Sequence, residues 1–239
     1  MLQLKGMLIL RIVILFSAIS KTTRDILSPK VLWFIIKIGF ASSVFWIAVL
    51  YYFWAPFEQF VAKFVAKIPF VGGWEWFQET GAFVMALLLG YTLIILTISN
   101  LTSFFSEGII LSLAKKDYPD IEPVKAGETH RSIYYTIKAT LYFVFMFILC
   151  LPLIFIPIIG QTIILTWLWS ILLKEPMIYD VGTLFIKDEK ELGIKSKKAW
   201  LIAMLASLFN YIPVLNIFAP LYSQILFMHY ILSQKLKGK

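Results

Sequence analysis

Long apolar segments alternate along the chain with short polar and basic segments, a pattern typical of helices that cross or enter a membrane. The pattern predicts a first transmembrane helix over residues 31–55, which contains one charged residue, Lys37, and ends in an aromatic cluster. A second span is predicted over residues 82–104. The apolar stretch within residues 1–30 is only 13 residues long, whereas about 20 are needed to cross a bilayer. We therefore expect residues 1–30 to form a helix lying in the membrane interface.

Two further apolar segments, residues 139–173 and 199–233, are each interrupted near the middle by proline. Pro157 and Gly160 break the first segment and Pro213 breaks the second, because proline removes a backbone donor and clashes with the preceding helical turn. Each segment then has one arm of about 13 residues, which rises only about 20 Å and is shorter than the ~30 Å hydrocarbon core. These segments are predicted to be broken hairpins that enter the bilayer partly or cross it at a strong tilt.

These elements predict one all-α integral membrane domain over residues 1–239, with two long transmembrane helices, two proline-broken hairpins and interfacial helices. Basic residues accumulate near the amino terminus, after residue 115, in the stretch 174–198 and in the tail, whereas residues 56–81 are poor in them. Since basic residues favour the cytoplasmic side, both termini are predicted to be cytoplasmic and residues 56–81 to face outward. The stretch 174–198 is expected to be a basic loop.

Composition supports a membrane protein, because 60% of the residues are hydrophobic and only 15% are charged. Soluble domains average about 45–50% apolar and about 25% charged residues. The net charge of +8 would favour nucleic-acid binding in a soluble protein. Here the basic residues flank apolar segments, so they indicate topology and no nucleic-acid partner is expected. The lone Cys150 lies in an apolar run and is expected to be a buried, unreactive thiol.

Patterns typical of enzymes are missing from the sequence. The two histidines, His130 and His229, have no second ligand at metal-binding spacing, so no metal site is predicted. No glycine-rich phosphate loop, nucleophile elbow or paired intramembrane carboxylate is present. We therefore expect no catalytic residues, no cofactor and no enzymatic activity.

The strongest candidate for anion binding is a predicted helix start at Ser106, Gly108 and Ile109. Exposed amides at a helix amino terminus carry positive partial charge and bind sulfate-like groups, and glycine lets a ligand approach the backbone. The alternative is an ordinary amino-terminal cap by the Ser106 hydroxyl. Glu107 opposes an anion here unless it is turned away or paired.

Two lysines and several polar residues complete the candidate set. Lys30 and Lys37 are seven residues apart and share one helix face, so they would attract an anion or, alternatively, extend to phospholipid head groups. A further group would shape a polar pathway, and for its asparagine and glutamine side chains the alternative is hydrogen bonding between helices. These pathway residues are Asn100, Pro157, Gly160, Gln161, Pro213 and Asn216.

Both proline-containing motifs are similar to signatures of a known family. The stretch Phe155-Ile-Pro-Ile-Ile-Gly-Gln-Thr162 resembles the Ile-Pro-x-Ile-Gly-Gln-Thr signature of the CysZ sulfate-uptake proteins, within the etoposide-induced membrane protein superfamily. The family's second pattern is Ser-Leu-Phe-x-x-Ile-Pro-x-Leu-Asn-x-Phe. It resembles the stretch Leu205-Ala-Ser-Leu-Phe-Asn-Tyr-Ile-Pro-Val-Leu-Asn-Ile-Phe-Ala-Pro220. The resemblance covers roughly residues 15–230. It implies an inner-membrane protein with two long spans and two partly penetrating hairpins. It also implies self-association and sulfate entry for cysteine synthesis.

The sequence departs from the family at the positions expected to bind the anion. Leu32 and Trp33 stand where the family has adjacent arginines, and Ser112 replaces the acid of the family's Gly-Leu-Leu-Ala-Glu motif. The leading hypothesis is a permease or channel for sulfate or a similar small oxyanion, acting as a homo-oligomer in the bilayer of the bacterial inner membrane. The rival hypothesis is a non-transporting scaffold or assembly factor whose basic cytoplasmic loops bind lipid or protein.

Overall fold

A computed structural model describes residues 2–65, 75–124, 129–154, 159–212 and 215–237, and every regular element in these ranges is helical. The all-α prediction is confirmed for this part of the chain. The helices, in chain order, are α1 (Leu2–Ile26), α2 (Pro29–Tyr52), α3 (Trp54–Val65), α4 (Glu75–Phe105), α5 (Glu107–Asp117), α6 (Thr129–Ile154), a π-helix (Ile159–Ile164), α7 (Leu165–Gly182), α8 (Glu189–Lys198), α9 (Trp200–Ser207), two 3₁₀ turns (Leu208–Tyr211 and Leu215–Ile217) and α10 (Ala219–Lys237).

The chain forms two compact units, one of residues 33–104 and one of residues 1–32 with 105–239. In the smaller unit, the indole Nε1 of Trp46 donates a 2.8 Å hydrogen bond to the hydroxyl of Thr97, joining α2 to α4. Gly90 brings α4 close to α2, because a Cβ there would lie 2.9 Å from Cδ1 of Leu50. A small residue therefore sets the separation of the two helices, as is common in membrane helix pairs.

Helix α2 covers the first predicted span, with bounds shifted by two or three residues, and is a candidate membrane span. It is long and apolar enough to cross a membrane, yet only 17% of its most apolar stretch is buried inside the protein. The core helix of a soluble protein would be mostly covered, so the exposed apolar surface of α2 fits contact with lipid. The span predicted over 82–104 falls within α4, and its crossing stays a prediction. A second candidate span arises if Leu93–Thr102 and α5 are counted as one broken segment.

Helix α10 forms the core of the larger unit. Every side chain from Leu221 to Ser233 is buried, and α1, α5, α7 and α9 all pack against this helix. A helix that is covered on all sides is the centre of a bundle rather than a surface element. An ionisable side chain between Leu221 and Ser233 is therefore deeply buried and needs a partner.

Helix α1 is longer than its apolar stretch indicated. It continues through the polar residues to Ile26, for 25 residues, and packs along α10 with Ala18, Thr22 and Asp25 fully buried. Its place in the membrane interface stays a prediction.

The described residues of both predicted hairpin segments are helical, and the basic stretch between these segments is not a loop. Helix α7 continues through Pro176 to Gly182, and α8 covers Glu189–Lys198. Asp188 caps α8 by accepting a 2.9 Å hydrogen bond from the amide of Lys190. The prediction of a loop over 174–198 is therefore wrong for most of its length.

Candidate anion-binding site

The candidate site is at the start of α5, where Ser106 separates this helix from α4. The Ser106 side chain is buried, and its hydroxyl makes no capping hydrogen bond to the helix. The backbone carbonyl of Ser106 instead accepts hydrogen bonds of 2.9 Å from the amides of Ile109 and Ile110. The alternative of an ordinary side-chain cap therefore does not describe Ser106.

Gly108 is an accessible part of this helix start. It is exposed, and a Cβ built on it would meet no atom within 4 Å, so the space beside its backbone is open. The amides of the first helical turn have no partner within their own helix and point toward that end. An anion here would bind the amides of Glu107 and Gly108, and it would compete with the Ser106 carbonyl for the amide of Ile109.

Lys30 is brought to the same face of α5. Its Nζ donates a 3.0 Å hydrogen bond to the hydroxyl of Ser112, which donates a 2.9 Å bond to the carbonyl of Ile109. Ser112 is four residues after Gly108, so the two lie one above the other on the helix surface. The structure therefore holds an exposed ammonium group about one helical turn from the open glycine.

The other predicted residues are distributed along the chain. Lys37 is exposed on α2, with its Nζ 5.0 Å from the centre of the Trp33 ring. Asn100 is exposed on α4, Gly160 is buried in the π-helix, and Asn216 is partly buried in the second 3₁₀ turn. Three predicted residues are beyond description: Pro157 and Pro213 lie outside the described residues, as does the side chain of Gln161.

A buried polar cluster holds the other end of α5. We use this name for Asp25, Asp117, Tyr118, His229 and Ser233. The Nε2 atom of His229 lies 2.9 Å from Oδ2 of Asp25, and its Nδ1 lies 3.1 Å from the hydroxyl of Tyr118. That hydroxyl is 2.9 Å from Ser233. With the proton on Nε2, His229 donates to Asp25 and accepts from Tyr118, so each ring nitrogen has a partner.

Two cations pair with the carboxylates of the cluster. Arg24 pairs with both Asp25 and Asp117, and Lys116 Nζ lies 3.4 Å from Oδ1 of Asp25. Burial by itself raises the pKa of Asp25, but the hydrogen bonds from His229 and Arg24 and the positive charge of Arg24 outweigh it and hold the pKa at about 2. Asp25 is therefore a carboxylate at physiological pH although its side chain is fully buried.

Asp25, Asp117 and His229 are also the donor types that bind a divalent metal, with ligand atoms all within 4.8 Å of one another. In this arrangement both carboxylates are already paired with Arg24, and Asp25 also with Lys116. The charge of the cluster is thus balanced without an added ion. Its geometry fits a structural clamp between α1, α5 and α10.

The cluster is the part of the site that the sequence did not reveal. Asp25 and His229 are 204 residues apart, and no local spacing connects them. One local feature does point to the cluster. His229 is an ionisable residue within an apolar helix, and such a residue requires a buried partner. Metal-binding motifs place their ligands a few residues apart, so the absence of such a motif around His229 says nothing about a distant partner such as Asp25.

A family model described as "Sulfate transporter CysZ/Etoposide-induced protein 2.4" matches residues 18–220. The chain belongs to this family. The match confirms the resemblance carried by the two proline motifs. No curated protein and no solved structure matches the chain significantly. As a CysZ-family protein it is a helical membrane protein, and its α5 start and Lys30 lie within the matched residues. Asp25, Asp117 and Tyr118 of the polar cluster also lie within them, whereas His229 and Ser233 lie beyond their end.

Proposed function

We propose that this protein is an inner-membrane permease or channel that lets sulfate or a similar small oxyanion enter the cell. The observation that carries the proposal is the position of Lys30, fixed by Ser112 on the face of α5 that also presents the open Gly108. Exposed amides and a nearby ammonium group are the elements that bind an oxyanion without a metal. Membership of a sulfate transporter family supports the same substrate class.

The proposal includes a membrane arrangement. Helices α2 and α4 cross the bilayer, both proline-broken hairpins enter it partly, and both termini face the cytoplasm. The protein acts as a homo-oligomer, and the imported sulfate supplies cysteine synthesis. The short arm of the second hairpin supports partial entry, because α9 and the following 3₁₀ turn together cover only Trp200–Tyr211.

Uptake of radiolabelled sulfate into proteoliposomes containing the purified protein tests the proposal. We expect saturable uptake that phosphate or molybdate inhibits by competition. Liposomes with folded protein that are no more permeable than empty ones would contradict transport, and would favour the rival scaffold role.

Replacing Lys30 with Gln is expected to raise the sulfate concentration for half-maximal uptake about fivefold. The reason is the loss of about 1 kcal/mol of attraction between unit charges several ångströms apart near a protein surface. The measurement is the concentration dependence of uptake at fixed ionic strength, since salt screens this attraction.

Ser112→Ala is the matched control, because it removes the hydrogen-bond partner of Lys30 but keeps the ammonium charge. We expect it to change half-saturation by less than Lys30→Gln does. Lys37→Gln tests the second predicted lysine in the same assay. Equal half-saturation in the parent and in Lys30→Gln would remove Lys30 from the mechanism.

A further inference from the structure

A cavity of about 240 Å³ lies between α6, α7 and α9 in the larger unit. None of the residues at the start of α5 or in the polar cluster lines it. Its walls carry the charged groups of Lys138, Lys174 and Glu175 beside the rings of Tyr142 and Trp200. A cavity that combines two ammonium groups with aromatic walls suits a ligand with an anionic part and an apolar part.

The carboxylate of Glu175 pairs with both lysines, so an anionic group fits between them. Nζ of Lys138 lies 3.2 Å from one carboxylate oxygen of Glu175, and Nζ of Lys174 lies 3.7 Å from the other. The Lys174 ammonium is also held 4.3 Å from the centre of the Trp200 ring, and its side chain is only 13% exposed. One carboxylate faces two ammonium groups, so the cavity keeps a net positive charge.

An exposed apolar stripe on α6 continues from this cavity. Leu141, Phe145 and Leu149 follow Lys138 at helical spacing, on the same face, with 68%, 61% and 64% of their surfaces exposed. From residue 138 to residue 149 the helix rises about 16 Å, which is close to the depth of one leaflet of a ~30 Å hydrocarbon core. The stripe is therefore long enough to lie along one acyl chain.

We propose that this cavity binds the phosphate group of an anionic phospholipid. The phosphodiester lies between Lys138 and Lys174, and an acyl chain lies along the stripe of Leu141, Phe145 and Leu149. A free inorganic oxyanion shares the charge chemistry but has no apolar part to use the stripe or the aromatic walls. This lipid site goes beyond the proposed transport function and does not depend on it.

The test measures which lipid the full-length protein retains from an equimolar mixture of phosphatidylglycerol and phosphatidylcholine in detergent, by mass spectrometry. We expect the parent to be enriched in phosphatidylglycerol. The double variant Lys138→Gln/Lys174→Gln should lose this enrichment by about tenfold or more, since each lysine near an anionic headgroup contributes about fivefold. Glu175→Gln removes the competing carboxylate and should increase the enrichment.

The matched control is Lys187→Gln/Lys190→Gln, which removes two exposed lysines of the same unit and should leave the enrichment unchanged. Excess inorganic phosphate, compared with chloride at equal ionic strength, separates a lipid site from a free-oxyanion site. Displacement of phosphatidylglycerol by phosphate alone would overturn the proposal, as would unchanged enrichment in the double lysine variant. If that variant does not fold, a lack of increase in Glu175→Gln would overturn it.

Discussion

Replacing Asp25 with Ala should lower the free energy of unfolding by about 3 kcal/mol, the largest stability loss expected from a single polar substitution in this protein. Asp25 is fully buried and accepts hydrogen bonds from His229 and Arg24. Its removal leaves the buried Nε2 of His229 without an acceptor, and it ends the pairing with Lys116. The measurement is the thermal unfolding midpoint in detergent, with an expected decrease of about 6–12 °C.

Two further variants separate charge from geometry. Asp25→Asn keeps the shape and one oxygen, so it should lose less stability than Asp25→Ala. Asp120→Ala removes an exposed carboxylate from the segment after α5 and should change the midpoint little. A midpoint for Asp25→Ala within 2 °C or so of that for Asp120→Ala would show that the cluster does not stabilise the fold.

The same carboxylate predicts an acid dependence of stability. The pKa of Asp25 is about 2 in the folded protein and 3.8 when unperturbed, so the folded state holds this group charged more strongly than the unfolded state does. Its contribution of about 2 kcal/mol is present above pH 4 and is lost as the pH falls from about 4 to 2. The difference in unfolding midpoint between the parent and Asp25→Ala should therefore shrink over this range. A difference that stays constant would contradict the depressed pKa.

Local apolar patterns were sufficient to predict much of the fold. The span predicted over 31–55 and the helix Pro29–Tyr52 differ by only a few residues, because a long apolar run with one charge leaves few other structures in lipid. Both arms of each hairpin are helical in the described residues for the same reason. Length and hydropathy are local properties, so the sequence carries them directly.

The basic stretch after residue 174 shows where prediction from apolar patterns and charge fails. Charged composition indicated a loop, yet Asp188 is a good capping residue, and Glu189 and Glu191 follow it in the first turn of α8. Acidic residues at the start of a helix and lysines at its end stabilise it through the helix dipole. This capping pattern is a local property of the sequence, and it predicts α8 better than the high charge predicts a loop.

The buried cluster could not be predicted from local spacing. It joins residues from α1, α5 and α10, and only the packed bundle brings them together. This contact has a consequence for the candidate site. Asp117 and Tyr118 fix the carboxyl end of α5 through the cluster, while Ser112 joins its middle to Lys30. The amino end of α5 is thereby held in place, which is the preorganisation that an anion site needs.

Replacing Gly108 with Leu should lower sulfate uptake about tenfold or more without destabilising the protein. A side chain at this position would fill the open space beside the amides of Glu107 and Gly108, where the anion is proposed to bind. Each hydrogen bond to a charged group contributes about 1.5–3 kcal/mol, so the loss of one already accounts for a tenfold effect. The measurements are the half-saturation concentration of uptake and the thermal midpoint.

Gly108→Leu should lower sulfate uptake without lowering the stability of the protein. A Cβ at Gly108 meets no neighbouring atom, and leucine favours a helix over glycine by up to about 1 kcal/mol, so the midpoint should stay the same or rise. Gly193→Ala in α8 is the matched control, because its Cβ also avoids close contact, with the Tyr179 hydroxyl 4.0 Å away. That variant should keep normal uptake. Unchanged uptake by Gly108→Leu would show that the anion does not approach this turn. A lowered thermal midpoint in Gly108→Leu would show that the space beside Gly108 is occupied in the folded protein.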